Sequence, residues 1–175
     1  MIDIFIPSYH RPDNVKTAKY FIKKGYDPKK IHVFIDDETD DGEDYEREMN
    51  ELGCNLHTFS MEESRRRYDY VHRPSTSRRS AGQCRNMFYE FAKKLKIDFY
   101  LVIDDDTNQY VVQPFGVYTH IADLDIILKV FEGIKEFMQK RKIGIFGLSQ
   151  GGDMFERYTE KIIRKKVMNT TFYDT

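Results

Sequence analysis

The residues with the clearest potential for chemistry are three consecutive aspartates, Asp104, Asp105 and Asp106. They follow the apolar run FYLVI at 99–103, which predicts a buried strand. Adjacent carboxylates repel one another, so the arrangement costs free energy unless a cation or strong donors offset it. Hard divalent ions bind oxygen ligands, commonly one or two carboxylates together with substrate phosphates. The run predicts a Mn²⁺ or Mg²⁺ site, and a solvated acidic turn explains it equally well when it is considered alone.

A second candidate lies at the start of the most regular helical pattern. GQCRN occupies 82–86, and apolar residues then recur every three or four positions as far as Leu95. Ser80 is the predicted cap of this helix. The first turn of a helix presents unpaired N–H groups and a positive dipole end, which suit a phosphate. Gly82 permits a close approach, and Arg85 adds a planar group with several donors. The alternative is an ordinary capped helix with a solvated arginine.

The surrounding pattern, in which apolar runs alternate with amphipathic stretches, predicts an α/β domain with a mostly parallel sheet. Strands are predicted at 2–7, 31–36, 54–59, 99–104 and, as a last buried strand, 142–149. Helices are predicted from Pro12 to Gly25, near 43–52, over 81–95 and over 127–138, with a β-rich stretch near 109–118. Residues 60–80 are predicted to form a long functional or mobile loop, and the tail 154–175 shows no strong element. Ligands of open α/β sheets bind beyond the carboxyl ends of strands, which is where the three aspartates lie.

The composition restricts the class of protein. With 175 residues, of which 40% are hydrophobic, the chain is long enough for one domain with a normal core. No apolar run reaches the roughly 18 residues of a membrane span, and the N-terminus lacks the features of a secretion signal. Cys54 and Cys84 lack metal-ligand spacing. We therefore expect a cytoplasmic protein without a membrane partner.

The charge is unevenly distributed, although the net charge is only −1. From 65 to 85 there are seven arginines and a single acid, Asp69, and a second basic cluster occupies 161–166. The interleaved Tyr68, Tyr70 and His72 suit base stacking, while the arginines suit a nucleic-acid backbone. These segments predict an acidic acceptor or a phosphate-rich one, such as DNA. A solvated loop that becomes ordered over a bound donor is the alternative.

Taken in order, three segments resemble the GT-A glycosyltransferases, above all family 2. They are the strand and its exit IFIPSYHRPDNV at 4–15, VFIDDETDD at 33–41, and the helix and strand at 82–107. The resemblance is collinear from residue 2 to about 107. It implies a Rossmann-like, mostly parallel sheet flanked by helices, in one nucleotide-sugar-binding domain over 1–175. It also implies a metal-dependent enzyme that moves a sugar from a nucleoside-diphosphate sugar to an acceptor hydroxyl.

The resemblance assigns roles to residues of this chain. Asp104 would contact the ribose or the metal, and Asp106 the metal directly. Asp36 would face the base, and Gly82 and Arg85 would lie near the diphosphate. The residues that would line the nucleoside site are Pro7, Ser8, Tyr9 and Arg11. The expected donor is a UDP-sugar, and some phage enzymes with this architecture suggest a modified DNA base as acceptor.

The chain departs from the family where the general base is expected. It has no Trp, and no Glu-Asp pair follows residue 107. Asp153 and Glu156 are the remaining candidates for the base that an inverting transfer needs. Two explanations stay open: the chain lacks a C-terminal acceptor-binding part, or the base comes from an atypical position.

Other classes of protein fit less well or remain as alternatives. A nucleotidyltransferase usually has a glycine-rich loop after the first strand, and SYHRPDN has no glycine. A haloacid-dehalogenase phosphatase needs Asp-x-Asp-x-Thr, and Thr107 comes one position too early. A non-catalytic module that binds a nucleotide sugar or a nucleic acid stays open as the alternative function.

Overall fold

The computed structural model describes residues 1–68, 80–112, 119–121, 123–148 and 170–175. The strands are β1 Asp3–Pro7, β2 Ile31–Asp36, β3 Asn55–Phe59, β4 Phe99–Ile103, β5 Tyr110–Val112, β6 Thr119–Ile121, β7 Ile145–Gly147 and β8 Thr170–Asp174. The helices are α1 Lys16–Lys23, α2 Gly42–Leu52, α3 Met61–Arg67, α4 Ser80–Leu95 and α5 Leu124–Arg141.

Six of these strands form one sheet in the order β3-β2-β1-β4-β8-β7. The first four run parallel, whereas β8 lies antiparallel between β4 and β7. The remaining pair, β5 and β6, forms a small antiparallel ladder. The predicted α/β class with a mostly parallel sheet is confirmed. Because β1, β2, β3 and β4 are parallel, their carboxyl ends lie along one edge, and residues that follow them are brought together.

Alternation along the strands divides the core between the two faces of the sheet. Ile4 and Ile6 of β1 pack with the helices α1, α2 and α5, whereas Phe5 packs with α3 and α4. The same alternation holds in β4, where Leu101 faces the first group of helices and Val102 the second. Central strands covered on both faces are largely apolar, which explains why β1, β2 and β4 were recognisable from their apolar residues, although His32 interrupts the run in β2.

The prediction of a loop over residues 60–80 is wrong for the first part of this segment. Residues 61–67 form α3, with Met61 packed into the core and Ser60 Oγ accepting a hydrogen bond from the Glu63 N–H at 3.4 Å. Ser60 and Glu63 have the spacing of a helix-start signature, which the polar composition of the segment obscured. Residues 69–79 lie outside the described residues.

The C-terminal strands also differ from the prediction. The segment 142–149 was predicted as a last buried strand, but β7 is a short edge strand in which Ile145 is 63% exposed. The strand β8 was missed, because the tail was predicted to have no strong element. Phe172 of β8 is fully buried, and its partners Leu101 and Phe146 belong to strands distant in sequence. That burial is a long-range effect which a local pattern does not reveal.

Smaller differences concern helix starts. Pro12 opens a short 3-10 turn over Pro12–Asn14, and α1 begins only at Lys16. Ser80 was predicted to precede its helix as the cap, but it is the first residue of α4. Gly25 follows α1 with a φ of 90°, a conformation that favours glycine.

Among the described helices, none combines the length and the apolar character needed to cross a membrane.

Candidate functional site

The loop after β1 and the turn after β4 line one cavity of about 230 Å³ at the carboxyl edge of the sheet. The two strands are hydrogen-bonded neighbours, with Ile4 opposite Leu101, so their ends lie side by side. The lining residues are Pro7, Ser8, Tyr9, Arg11, Asp104, Asp105 and Asp106. The structure therefore brings together two groups of predicted site residues that are almost a hundred positions apart in sequence.

Asp105 is the buried member of the acidic turn, only 4% exposed. Ser8 Oγ donates to Asp105 Oδ2 at 2.9 Å, and Arg11 Nε lies 3.2 Å from the same oxygen. Ser8 Oγ is also 2.8 Å from the hydroxyl of Tyr45, which accepts a hydrogen bond from the Arg11 N–H at 3.1 Å. Burial raises the pKa of Asp105, although Ser8 and Arg11 oppose that rise. Asp105 therefore connects the loop after β1 to the turn after β4. The sequence alone did not distinguish Asp105 from Asp104 and Asp106.

Asp104 and Asp106 differ from Asp105 in what surrounds them. The Arg85 guanidinium reaches from α4 and forms an ion pair with Asp104 Oδ1. Burial raises the pKa of Asp104, and the Arg85 charge opposes that rise. Asp106 is exposed, and within the described residues no basic side chain forms a salt bridge with it. Asp106 is therefore exposed and without a salt bridge among the described residues, whereas Asp104 is partly exposed and paired with Arg85.

Thr17 fixes the backbone of the acidic turn, and sequence reasoning missed it. Its side chain is fully buried at the start of α1. Thr17 Oγ1 donates to the Asp104 carbonyl and accepts from the Thr107 N–H at 2.9 Å, while its own N–H donates to the Asp105 carbonyl at 3.1 Å. The only sequence signal was a hydroxyl residue next to Ala18 on the apolar face of the first helix.

Comparison with known proteins identifies the family. The family model described as "TET-Associated Glycosyltransferase" matches residues 2–173. The chain belongs to this family. The membership confirms the glycosyltransferase resemblance, and the mostly parallel sheet flanked by helices is the architecture that this resemblance implied. A comparison with curated proteins gives no match.

Among solved structures, one that is similar to this TET-associated glycosyltransferase chain is the mannosyltransferase PcManGT from Pyrobaculum calidifontis, in complex with GDP-Man and Mn²⁺. The sequence identity is 13% and the TM-score 0.42. The match covers 88% of the present chain and 37% of the mannosyltransferase chain. The present chain therefore spans well under half the length of this structural relative.

Three predicted donor-site residues of the TET-associated chain, Asp36, Gly82 and Arg85, lie outside the lining of the cavity, and Arg85 contacts the lining through its ion pair with Asp104. Asp36 ends β2 in a buried position, where its Oδ1 accepts a hydrogen bond from the Glu38 N–H at 3.0 Å. Gly82 is exposed in the first turn of α4, and among the described residues nothing lies within 4 Å of the position that a Cβ would take. Their predicted contacts with the base and the diphosphate stay predictions.

The remaining predictions concern the arginine-rich segment and the candidate bases. Two of the arginines form ion pairs, and the candidate bases lie outside the described residues. In α3, Arg65 Nη1 is 2.9 Å from Glu38 Oε1, and Arg67 Nη2 is 2.7 Å from Glu63 Oε1. The predicted base candidates Asp153 and Glu156 lie outside the described residues, as do the basic cluster at 161–166 and the aromatic residues Tyr70 and His72.

A second group of metal-ligating atoms lies near the cavity loop. His10 Nδ1 is 3.3 Å from Asp40 Oδ1 and 3.3 Å from Asp41 Oδ2. The three ligand atoms are close enough to surround one ion. His10 and Asp40 are exposed, however, and exposed clusters of this kind are common without a metal.

Proposed function

We propose that the chain forms the donor-binding domain of a divalent-metal-dependent glycosyltransferase. The enzyme would transfer a sugar from a nucleoside-diphosphate sugar, with a UDP-sugar as the expected donor, to an acceptor hydroxyl. The single observation that carries the proposal is the convergence of Ser8, Arg11 and the three aspartates around one cavity at the carboxyl edge of the sheet. Membership of a glycosyltransferase family supports the same chemistry.

The chemistry of the acidic turn suits a Mg²⁺ or Mn²⁺ ion. Its donor atoms are carboxylate oxygens, which these ions prefer, and Asp104 already attracts a cationic group, the Arg85 guanidinium. Asp104 and Asp106 would hold the ion, since Asp105 is engaged with Ser8 and Arg11. A bound divalent ion supplies positive charge that stabilises the departing nucleoside diphosphate.

The remaining cavity residues would bind and orient the nucleoside. Pro7 and Tyr9 line the cavity beside Ser8 and Arg11, and their loop is held in place by Asp105 and Tyr45. A loop fixed by buried hydrogen bonds loses little further freedom when a ligand binds, which favours affinity. The arrangement also keeps the acidic turn at a constant distance from the nucleoside.

The activity is tested by sugar release from UDP- and GDP-sugars in Mn²⁺ or in EDTA. We expect slow hydrolysis that needs Mn²⁺, that is lost in Asp106→Ala and that persists in the control Asp98→Ala. Asp98 is an exposed aspartate at the opposite end of the same strand, β4. Metal-dependent nucleotide binding without any hydrolysis or transfer would contradict the enzymatic function and favour a non-catalytic binding module.

For the acceptor, we propose a hydroxyl on a modified base in DNA. The support is the arginine-rich sequence from 65 to 85 and the family's description as TET-associated. In α3, phosphates would compete with Glu38 for Arg65 and with Glu63 for Arg67. Exposed ion pairs of this kind are weak, so a polyanion can displace the carboxylates.

The DNA acceptor is tested by retention on a DNA column. We expect Arg65→Ala/Arg66→Ala/Arg67→Ala to elute at lower salt than the wild type. Lys93→Ala/Lys94→Ala/Lys135→Ala is the matched control, because it removes the same number of charges near the amino edge of the sheet. Equal retention of the arginine variant and the wild type would contradict the DNA acceptor and leave the glycosyltransferase proposal intact.

A further inference from the structure

The ion pair between Arg85 and Asp104 occupies a carboxylate that the proposed metal also needs. Arg85 Nη2 contacts Asp104 Oδ1, and both side chains are about three-quarters buried, with exposures of 26% and 27%. A guanidinium and a divalent ion both neutralise the same charge. While Arg85 holds Asp104, a metal ion gains less from binding there.

In this position, one hydrogen-bond donor of the Arg85 side chain lacks an acceptor in the part of the chain that the structure describes. Its Nε is buried, and within the described residues it has no hydrogen-bond partner. A buried donor without an acceptor is unfavourable, so the ion pair with Asp104 is opposed by the burial of Nε. A ligand with several acceptor oxygens can satisfy all the donors of a guanidinium when the side chain moves towards it.

A diphosphate is a ligand with these properties, and the proposed function places one next to Asp104. We propose that Arg85 and the metal ion exchange at Asp104, so that a bound diphosphate draws Arg85 away and leaves the carboxylate for the metal. This inference rests on the proposed function, because it assumes that donor and metal bind at this cavity. It adds a coupling between the two ligands that depends on one residue.

The exchange couples the binding of the sugar donor to the binding of the metal ion. Each ligand favours the state in which the Arg85–Asp104 pair is open, so each raises the affinity of the other by the same factor. Such couplings are typically about 5- to 150-fold. Part of the coupling comes from direct contact between metal and phosphate, and the test must separate the Arg85 contribution from it.

Metal-free buffer removes the direct contact. In EDTA, we expect Asp104→Asn to bind inorganic pyrophosphate at least about fivefold more tightly than the wild type, because Arg85 is released, in line with the lower end of typical couplings. Asp106→Asn is the matched control, since it removes the same charge two residues away without breaking the Arg85 pair. Calorimetric titration of the three proteins measures the difference. Equal affinities of the two variants, or no detectable binding by any of them, would overturn the exchange.

Arg85→Gln gives a second test that does not depend on the Asn variant being well folded. In the absence of any nucleotide, we expect Arg85→Gln to bind Mn²⁺ at least about fivefold more tightly than the wild type. Arg11→Gln is the control, because it removes an equal charge that pairs with Asp105 instead. The Mn²⁺ signal in electron paramagnetic resonance measures the free ion, and the bound fraction follows by difference. An equal gain in both variants would indicate general electrostatics and overturn the proposal.

Failure of the exchange is distinguishable from failure of the proposed function. If no nucleoside diphosphate stabilises the wild-type protein in Mn²⁺, the donor site itself is wrong. If the wild type responds to both ligands but Asp104→Asn behaves like Asp106→Asn in EDTA, only the exchange is wrong.

Discussion

Both ends of the parallel sheet carry charged side chains, but these side chains are paired differently at the two ends. Towards the amino ends of the strands, His32 Nε2 lies 3.1 Å from Asp3 Oδ1, and Lys30 Nζ lies 3.2 Å from Asp3 Oδ2. His32 Nδ1 is in turn 2.9 Å from His57 Nε2, so the network extends from β1 across β2 to β3. At the carboxyl edge, Asp105 pairs with Arg11 and Asp104 with Arg85, and Asp106 is exposed beside them.

The proposed ligand site lies at the edge with the smaller of the two cavities, and the feature that distinguishes this edge is the run of three aspartates. The larger cavity, of about 430 Å³, lies at the amino edge and is lined by Asp3, Lys30 and His32 among others. There Asp3 pairs with both Lys30 and His32, and these contacts stabilise the fold. At the carboxyl edge, three aspartates have two arginine partners among the described residues, so these residues leave the acidic turn with one excess negative charge, as is expected of a site that binds a cation.

If this contrast is correct, acid should affect the amino-edge network most. Burial, together with the charges of His32 and Lys94, lowers the pKa of His57 to about 4. The neutral imidazole is therefore favoured in the folded state. The free energy of unfolding should fall by at most about 3 kcal/mol as the pH decreases from 6.5 to 4. Below pH 4 this loss should be complete, because His57 is then protonated in both states.

Urea unfolding of wild type and His57→Gln across this pH range measures the effect. The raised pKa values of Asp104 and Asp105 act in the opposite direction, since stability that they contribute is present at low pH and is lost as the pH rises. Both proteins contain these aspartates, so the difference between them isolates His57. Parallel pH profiles of the two proteins would contradict the assigned role of His57.

A loss of stability of intermediate size is expected when Thr17 is replaced, because Thr17 links the packed core to the acidic turn. Thr17→Val keeps the shape but removes the hydroxyl that bonds the Asp104 carbonyl and the Thr107 N–H. We expect a loss of about 1–3 kcal/mol in unfolding free energy, because buried backbone groups are left unpaired. Mn²⁺ binding should weaken as well, and Thr17→Ser should restore both properties. Full Mn²⁺ affinity in Thr17→Val would show that the turn does not depend on these bonds.

The smallest effect on stability is expected at Asp106. It is exposed and has no salt bridge within the described residues, so Asp106→Asn should change the unfolding free energy by less than about 0.5 kcal/mol. Relief of repulsion within the acidic turn could even stabilise the variant. Urea denaturation measures the change. A cost above about 1 kcal/mol would mean that Asp106 supports the fold and would remove the contrast between the two edges.

The parts of this structure that the sequence predicts are those specified by local patterns. The strands β1, β2 and β4 are rich in apolar residues, and the acidic turn at Asp104 follows directly from the end of β4. The strand β8 was missed because Phe172 is buried by strands that are far away in sequence. The helix α3 was missed because its one apolar anchor, Met61, gives no periodicity.

The candidate site shows the same division between local and long-range information. The aspartates and the Pro7–Arg11 loop were identifiable as residues at strand ends. The contacts that distinguish Asp104, Asp105 and Asp106 from one another were not, because they depend on how α1 and α4 pack against the sheet. Thr17 lies 87 positions before Asp104, and Arg85 reaches the turn from a different helix. Sequence patterns therefore identified most residues of the candidate site, and packing determines the contacts that each carboxylate makes.

The central claim is that a divalent ion and a nucleoside diphosphate bind together at the acidic turn. The most direct test is thermal stability with and without Mn²⁺, across UDP, GDP, CDP and TDP, for the wild type and for Asp104→Ala/Asp106→Ala. For the wild type with Mn²⁺ and one nucleotide, we predict a stabilisation of about 2.7 kcal/mol at a ligand concentration one hundred times the dissociation constant, and in the variant the addition of Mn²⁺ should not increase the effect of any nucleotide. The absence of any shift in the wild type, or an equal shift in the variant, would contradict the account.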